Sequence, residues 1–256
     1  MGLQVSRRRH IVIPDGQVKP GIKINHWAAI GNYIAEWRPE VIVNLGDFYD
    51  MTSLCKYEDD LAASTQRHIE KDIAAGDAAW KAWTEPWINI KGYKPRMLYT
   101  LGNHEYRWTR LMGEQPNLRG AIREPWGLAL KQGWHVASYL KPITIDGVTY
   151  AHLFVKGANG RVTNAKFGAA NARTQVLREM RSCTAGHKPG LDVHIQPIGR
   201  GSMRGIIAGS CYQHDEEYMT PQGTTYWRGI LVKHGVRQGN YDLMEVSLEY
   251  LLRKYQ

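Results

Sequence analysis

Asp15, Asp47, Asn103, His152 and His187 are of the residue types that hold divalent cations, and each follows a short apolar run. Carboxylate and amide oxygens suit hard or intermediate cations, and imidazole shifts the preference toward transition metals. A mixed Asp/Asn/His set therefore points to manganese, iron or zinc rather than calcium. Two such ions a few ångströms apart clamp a phosphate, activate water and stabilise a leaving oxygen. Asp47, on the middle of three polar clusters, is the natural bridging ligand. Taken singly, Asp15 or Asp47 could be a turn residue bonding its own backbone, and His152 a satisfied core histidine. Their joint order at successive strand ends favours a site.

The elements that must position them follow from apolar spacing. His10 to Ile13 is a short apolar run stopped by Pro14-Asp15-Gly16. Ile24, Trp27, Ile30, Ile34 and Trp37 then recur at helical spacing. Val41 to Leu45 reads as a buried strand halted by Gly46-Asp47, and about residues 61–90 read as mostly helical, with Ile69, Ile73, Trp80, Trp83 and Trp87 as the apolar face. Met97 to Leu101 is a third strand, ending at Gly102-Asn103-His104-Glu105. This β-α-β-α-β rhythm predicts a sheet with helical crossovers. Ligands in such sheets bind beyond the carboxyl ends of the strands, so the three polar clusters are expected to meet.

The second half is richer in β signals. Ile143 to His152 reads as a hairpin turning at Asp146-Gly147, and Ser182 to His187 as a short strand with a polar end. Further β-like runs are Gly205–Ser210, Tyr226–Lys233 and Leu243–Leu248. The expected fold is α/β, two sheets packed face to face with helices outside, in one continuous domain over residues 1–256 without repeats or low-complexity linkers.

Gly46-Asp47-Phe48-Tyr49-Asp50 and Gly102-Asn103-His104-Glu105 resemble the GDxxD and GNHE motifs of calcineurin-like metallophosphoesterases. Asp15-Gly16-Gln17 stands where that family has DxH, and Gly186-His187 where it has a GH element. The resemblance covers about residues 10 to 190. The chain looks most like the phage-encoded type, through Ala208-Gly-Ser-Cys-Tyr212 and Pro221-Gln-Gly223. It implies a four-layer αββα sandwich of two mixed β-sheets flanked by helices. It assigns Asp15 to a first metal, Asp47 to the bridge, and Asn103, His152 and His187 to a second metal. His104 would be the catalytic histidine, contacting phosphate and protonating the leaving oxygen, with an acidic neighbour holding its ring. Asp50 and Glu105 are candidates for supporting rather than direct roles.

Two departures fall on the first metal. The DxH histidine is Gln17, and the GHxH element reads Gly186-His187-Lys188-Pro189, whose proline side chain cannot be a ligand. Gln17 is then a candidate ligand, and His194 and His214 are candidates to take over. One tightly held ion, with a second and weaker one recruited alongside substrate, is the expectation, and manganese suits that oxygen-rich coordination.

The charge bears on the substrate. With Lys+Arg 33 against Asp+Glu 24, the formal net charge is +9 and the pI about 9.4, a bias toward polyanions. Lys56, Arg107, Arg110, Arg119, Arg123 and Lys188 lie around the motif loops, and Asn103, Arg107 and Lys188 are the candidates for contacting substrate. Arg7-Arg8-Arg9 reads as a solvated basic end. The leading expectation is a manganese-dependent phosphodiesterase acting on nucleic acid, a DNA nuclease. The alternatives are a phosphatase or cyclic-nucleotide phosphodiesterase on small molecules or phosphoproteins, and a non-catalytic binding protein of the same fold. No apolar run reaches membrane-spanning length and the polar, basic start has no secretory h-region. Met1-Gly2 with Ser6 fits the loose myristoylation pattern, but no second membrane signal accompanies it. Cys55, Cys183 and Cys211 form no CxxC pair, which fits a reducing compartment. The expected location is cytoplasmic, the host cytoplasm for a phage-encoded chain. Nine tryptophans are many, and the helical spacing of Trp80, Trp83 and Trp87 assigns those three to core packing before base stacking. His10, His26, His68, His135 and His234 read as surface or packing residues.

Overall fold

The computed structural model describes residues 8–55, 68–155, 171–199, 201–216 and 224–255. The layers follow from which way alternate residues point. In β1 (His10–Ile13), Ile11 and Ile13 enter one apolar cluster and Val12 another. The same division recurs in β2 (Val41–Asn44), where Ile42 opposes Val41 and Val43, and in β3 (Arg96–Thr100), where Tyr99 opposes Leu98. A strand buried on both faces needs a layer on each side.

On one face, α1 (Asn25–Trp37) and α2 (Ile69–Ile88) supply Trp27, Trp80, Trp83 and Trp87, all fully buried. The helical part of the 61–90 reading is thus Ile69–Ile88, and residues 61–67 lie outside the described ones. The ring centroids of Trp80 and Trp83 lie 5.2 Å apart, edge to face, the geometry that aromatic quadrupoles favour. The C-terminal α6 (Leu248–Tyr255) packs beside α1 and adds Leu248 and Leu251 to the same cluster.

The first sheet runs β11-β10-β1-β2-β3-β4, with β4 (His135–Ala137), β10 (Gly229–Arg237) and β11 (Asn240–Ser247). β1 to β4 are parallel, whereas β10 is antiparallel to β1 and β11 to β10. The second sheet runs β5-β6-β7-β9-β8, from β5 (Ile143–Ile145), β6 (Val148–Ala151), β7 (Cys183–Ala185), β8 (Leu191–Pro197) and β9 (Ser202–Ala208). It is also mixed, β6-β7-β9 being parallel and the flanking pairs antiparallel. Val12, Val43 and Leu98 meet Val148, Tyr150 and Ile206 between the sheets. α5 (Ala172–Glu179) covers the outer face of the second sheet through Ala172 and Val176, against Cys183 and Ile207. The order of layers is helix, sheet, sheet, helix. Among the described residues no helix is long and apolar enough to cross a membrane.

The histidines read as surface or packing residues divide. His10 and His26 are fully buried, His10 bonding Tyr150 and Asp146 and His26 bonding Gln213. His68 and His135 are exposed.

Candidate metal centre

The parallel alignment of β1, β2 and β3 brings their carboxyl ends into register. Asp15 follows β1, Asp47 follows β2, and Asn103 opens α3 (Asn103–Glu114) directly after β3. The second sheet contributes His152 after β6 and His187 after β7, two strands that also run parallel.

Four of these side chains converge on one point, whereas Asp15 stands beside it, its Oδ1 accepting the His187 amide at 3.0 Å. Asn103 Oδ1 lies 3.0 Å from His152 Nε2 and 2.8 Å from His187 Nδ1. His152 Nε2 lies 3.2 Å from His187 Nδ1 and 3.2 Å from Asp47 Oδ2. Ligands bound at about 2.1 Å to one ion stand roughly 3 Å apart, so these spacings match a coordination polyhedron. Among the described residues, Asp47, His152 and His187 form the group of His, Cys, Asp or Glu with ligand atoms within 4.8 Å of one another. His152 Nδ1 donates to the Leu45 carbonyl at 2.8 Å, which turns the Nε2 lone pair inward. The donor set is therefore oxygen- and imidazole-rich, and it fits a divalent transition ion.

The electrostatics drive the groups at this point in opposite directions. Burial disfavours the His152 imidazolium, but Asp47 and Asp15 outweigh it and raise the group to about 9. Burial also opposes ionisation of Asp47, yet His104 and His152 draw its carboxyl far below the usual range. Asp15 goes the other way. Burial, with Asp47 adding to it, raises its carboxyl to about 8 against the pull of His152. His187 is lowered to about 4 by burial and by His152 beside it. Three non-glycine residues here take left-handed backbone: Gln17 (φ 40°), Asp47 (φ 48°) and His187 (φ 71°). Such conformations cost about 1–3 kcal/mol each and persist where surrounding structure enforces them.

The motif glycines have a steric reason. A Cβ on Gly102 would stand 2.0 Å from Asp47 Oδ1, and one on Gly186 would stand 2.4 Å from Asp15 Oδ1. Any side chain at either position would displace a carboxylate.

Glu105 is fully buried and holds the Asp47 loop rather than facing the centre. It accepts from the amides of Asp47, Phe48, Tyr49 and Gly102 and from the Tyr99 hydroxyl. Asp50 orients His104, its Oδ1 lying 2.5 Å from Nδ1, while the His104 amide donates to Asp47 Oδ1 at 2.9 Å. The opposite ring nitrogen, Nε2, faces Asp47 Oδ2 at 3.7 Å. Burial disfavours the charged ring, but Asp47 and Asp50 raise it to about 9.

Arg107 is split between roles. Its Nη1 donates to the Asp50 carbonyl at 2.9 Å, and its Nη2 stands 3.5 Å from His104 Nε2. Lys188 follows His187 and is half-buried. Of the other basic residues, Arg110 pairs with Glu114, Arg119 bonds the Met112 carbonyl and Arg123 pairs with Asp77. Arg8 pairs with Asp146 and Arg9 lies over the Trp37 ring. Arg7, Lys56 and the Pro221–Gly223 motif lie outside the described residues.

The structure separates Gln17, His194 and His214, the candidates for a further ion. Gln17 is buried and its Oε1 has no hydrogen-bond partner. Its amide and that of Gly16 donate to the Asp47 carbonyl at 2.7 and 3.0 Å. A buried carbonyl oxygen without a partner, on a residue whose backbone bonds that of Asp47, is what a cation ligand would leave. His194 sits on β8 with Gln196 Oε1 3.4 Å away, and His214 bonds Glu216 at 2.6 Å and stacks on Tyr212. Neither joins the convergent group.

The sequence reading missed Lys19, Glu216 and the backbone contact of Cys211 with Asp15. Lys19 lies 2.9 Å from Glu216 and 3.7 Å from Asp50, and Cys211 donates its amide to the Asp15 carbonyl at 2.9 Å. No local pattern marks such contacts, since Lys19 and Glu216 are 197 residues apart. A scan of the chain against protein-family models finds no match, and neither does a search of curated proteins.

Proposed function

We propose that this protein is a metal-dependent phosphoesterase that hydrolyses phosphodiester bonds in nucleic acid, acting as a manganese-dependent DNA nuclease. The observation that carries the reading is the pairing of two features. Four inward lone pairs, from Asp47, Asn103, His152 and His187, meet within 3.2 Å contacts. Beside them stands His104, its ring fixed by Asp50.

A divalent ion held by Asp47, Asn103, His152 and His187 would supply Lewis-acid polarisation of the phosphoryl group and activation of water, with Asp15 and Gln17 able to hold a second and weaker ion. The chain supplies the proton. His104 Nδ1 is committed to Asp50, which leaves Nε2–H directed at the space beside Asp47. As the bond between phosphorus and the leaving oxygen breaks, that oxygen takes the Nε2 proton, and the attacking water's proton passes to solvent. Arg107 Nη2, next to Nε2, is placed to pair with a non-bridging phosphate oxygen. The His104–Asp50 pair favours catalysis over a binding protein of the same fold, which would have no use for an oriented proton donor. The +9 charge favours a polyanionic substrate over a small ester.

The test is cleavage of plasmid and linear DNA with manganese, magnesium, zinc or EDTA, comparing wild type with His104→Ala and Asp47→Ala. Manganese-dependent cutting lost in both variants supports the reading. Turnover of bis-p-nitrophenyl phosphate without DNA cutting moves the substrate to small diesters. Inertness toward both, with metal bound, overturns the enzyme reading.

A further inference from the structure

Two tyrosines at the rim of the metal centre have no part in the chemistry above. Tyr106 lies on α3 two residues beyond His104 and is 44% exposed. Tyr139 lies in the connection between β4 and β5 and is half-buried. Their ring centroids are 5.1 Å apart at 34°. The Tyr139 ring is also 6.3 Å from the ring of His152. The pair therefore forms a continuous aromatic wall reaching from solvent to a ligand of the centre. Leu140 takes a left-handed conformation (φ 65°) immediately after Tyr139. That conformation is uncommon for a residue of this shape and points to a turn held for the position of its neighbour.

Resting on the phosphodiesterase reading, we infer that Tyr139 and Tyr106 form the stacking platform for the nucleobase attached to the scissile phosphate, so that the substrate is a nucleotide diester rather than a phosphoprotein or an alkyl phosphate. A base sits one sugar away from its phosphate. With the phosphate at the centre, the first aromatic surface a base meets on this side is Tyr139, and Tyr106 extends it toward solvent. Stacking on an aromatic ring tolerates any base, because every base presents a π-face, and it contributes most where the phosphate is already anchored. Neither ring supplies one of the convergent ligand atoms, so both bind substrate and take no part in the chemical step.

The experiment measures binding of phosphorothioate-linked dithymidine and of inorganic phosphate to the full manganese-loaded chain, for wild type, Tyr139→Ala, Tyr139→Phe and Tyr106→Ala. Hydrolysis of bis-p-nitrophenyl phosphate by wild type is followed in parallel. The inference expects Tyr139→Ala to bind the dinucleotide about tenfold more weakly, Tyr106→Ala to show a smaller loss in the same direction, Tyr139→Phe to match wild type within about twofold, and phosphate affinity to hold in all. Phe retains the π-face and the packing, so its agreement with wild type separates stacking from a general loss of structure. Equal dinucleotide affinity in wild type and Tyr139→Ala overturns the inference. So does an equal loss of phosphate affinity, which marks Tyr139 as a support for the metal centre, or a Phe variant as weak as Ala. Absent ester hydrolysis together with absent DNA cleavage overturns the phosphoesterase reading and is distinguishable from these results, because the binding arm is read without turnover.

Discussion

The carboxylate of Glu105 carries the backbone of Asp47: its Oε2 accepts the Asp47 amide at 2.9 Å, and its two oxygens together take five donors. Burial, with Asp47 next to it, pushes the Glu105 carboxyl upward, and the Tyr99 hydroxyl and the surrounding amides oppose that shift. A buried acceptor of this kind is not replaceable by a smaller group without stranding its donors. Glu105→Ala is expected to lose about 3 kcal/mol or more of stability, with Glu105→Gln losing less. Urea unfolding of the two variants measures the difference. Manganese affinity should fall in Glu105→Gln although Glu105 touches no ligand atom, because the left-handed turn at Asp47 loses its anchor; unchanged affinity would show that the turn holds itself.

Gly102 offers a sharper steric test. A methyl group there would stand 2.0 Å from Asp47 Oδ1, against the amides and ring that this carboxylate serves. Gly102→Ala should therefore weaken manganese binding by calorimetry at least tenfold, with an overpacking loss of about 1–3 kcal/mol in thermal unfolding. Gly92 has open space around it, but its backbone lies at φ 79° and so suits glycine for another reason. Gly113, open and without positive φ, is the control: Gly113→Ala should leave metal binding unchanged.

The strand ends were legible because buried parallel strands and amphipathic helices leave strong apolar signals, and the Trp80, Trp83 and Trp87 spacing located the helix face that packs on the sheet. Where packing gave a weaker signal, the reading failed. β8 is an edge strand whose Val193 and Ile195 are exposed, so its alternation reports no buried face. β4 has only three residues, too few for any period. Asn103, His104 and Glu105, read as the polar end of the third strand, form the first turn of α3, since Glu105 folds back on the Gly102 amide in a capping arrangement. The site residues that local motifs carried, Asp47, Asn103, His104 and Asp50, were visible. Lys19, Glu216 and the Tyr106–Tyr139 wall were not, because each is brought to the site by topology alone.

Gln17 stands on the side of the centre where a second and weaker ion is proposed, and its part is testable by substitution. Its Oε1 is buried without a partner and its backbone is left-handed, a conformation that histidine tolerates better than most side chains. Gln17→His should raise the manganese stoichiometry toward a second tightly held ion, read by calorimetry or by electron paramagnetic coupling between two ions. A single uncoupled ion in both proteins would place the weakness of that side elsewhere, at the Lys188-Pro189 end.

His10 and His26 link stability to pH away from the metal centre. Burial lowers both to about 4; Lys233 adds to the effect at His10 while Asp146 opposes it, and Gln213 opposes it at His26. Each folded-state value lies below the unfolded value near 6.5, so the unfolded chain takes up the proton first as pH falls. The stability associated with the neutral rings is complete above about pH 6.5 and is lost progressively toward pH 4. At about 1.4 kcal/mol per unit, each histidine accounts for a loss of about 2 kcal/mol at pH 5. Urea unfolding of wild type and His26→Gln at pH 7.5 and pH 5 isolates one of them. The variant starts less stable at pH 7.5, because the fit around Trp27 and Gln213 is disturbed, but its further loss on going to pH 5 should be smaller than that of wild type by about 2 kcal/mol. Parallel losses in the two proteins would show that His26 is already protonated, or free to become so, in the folded state.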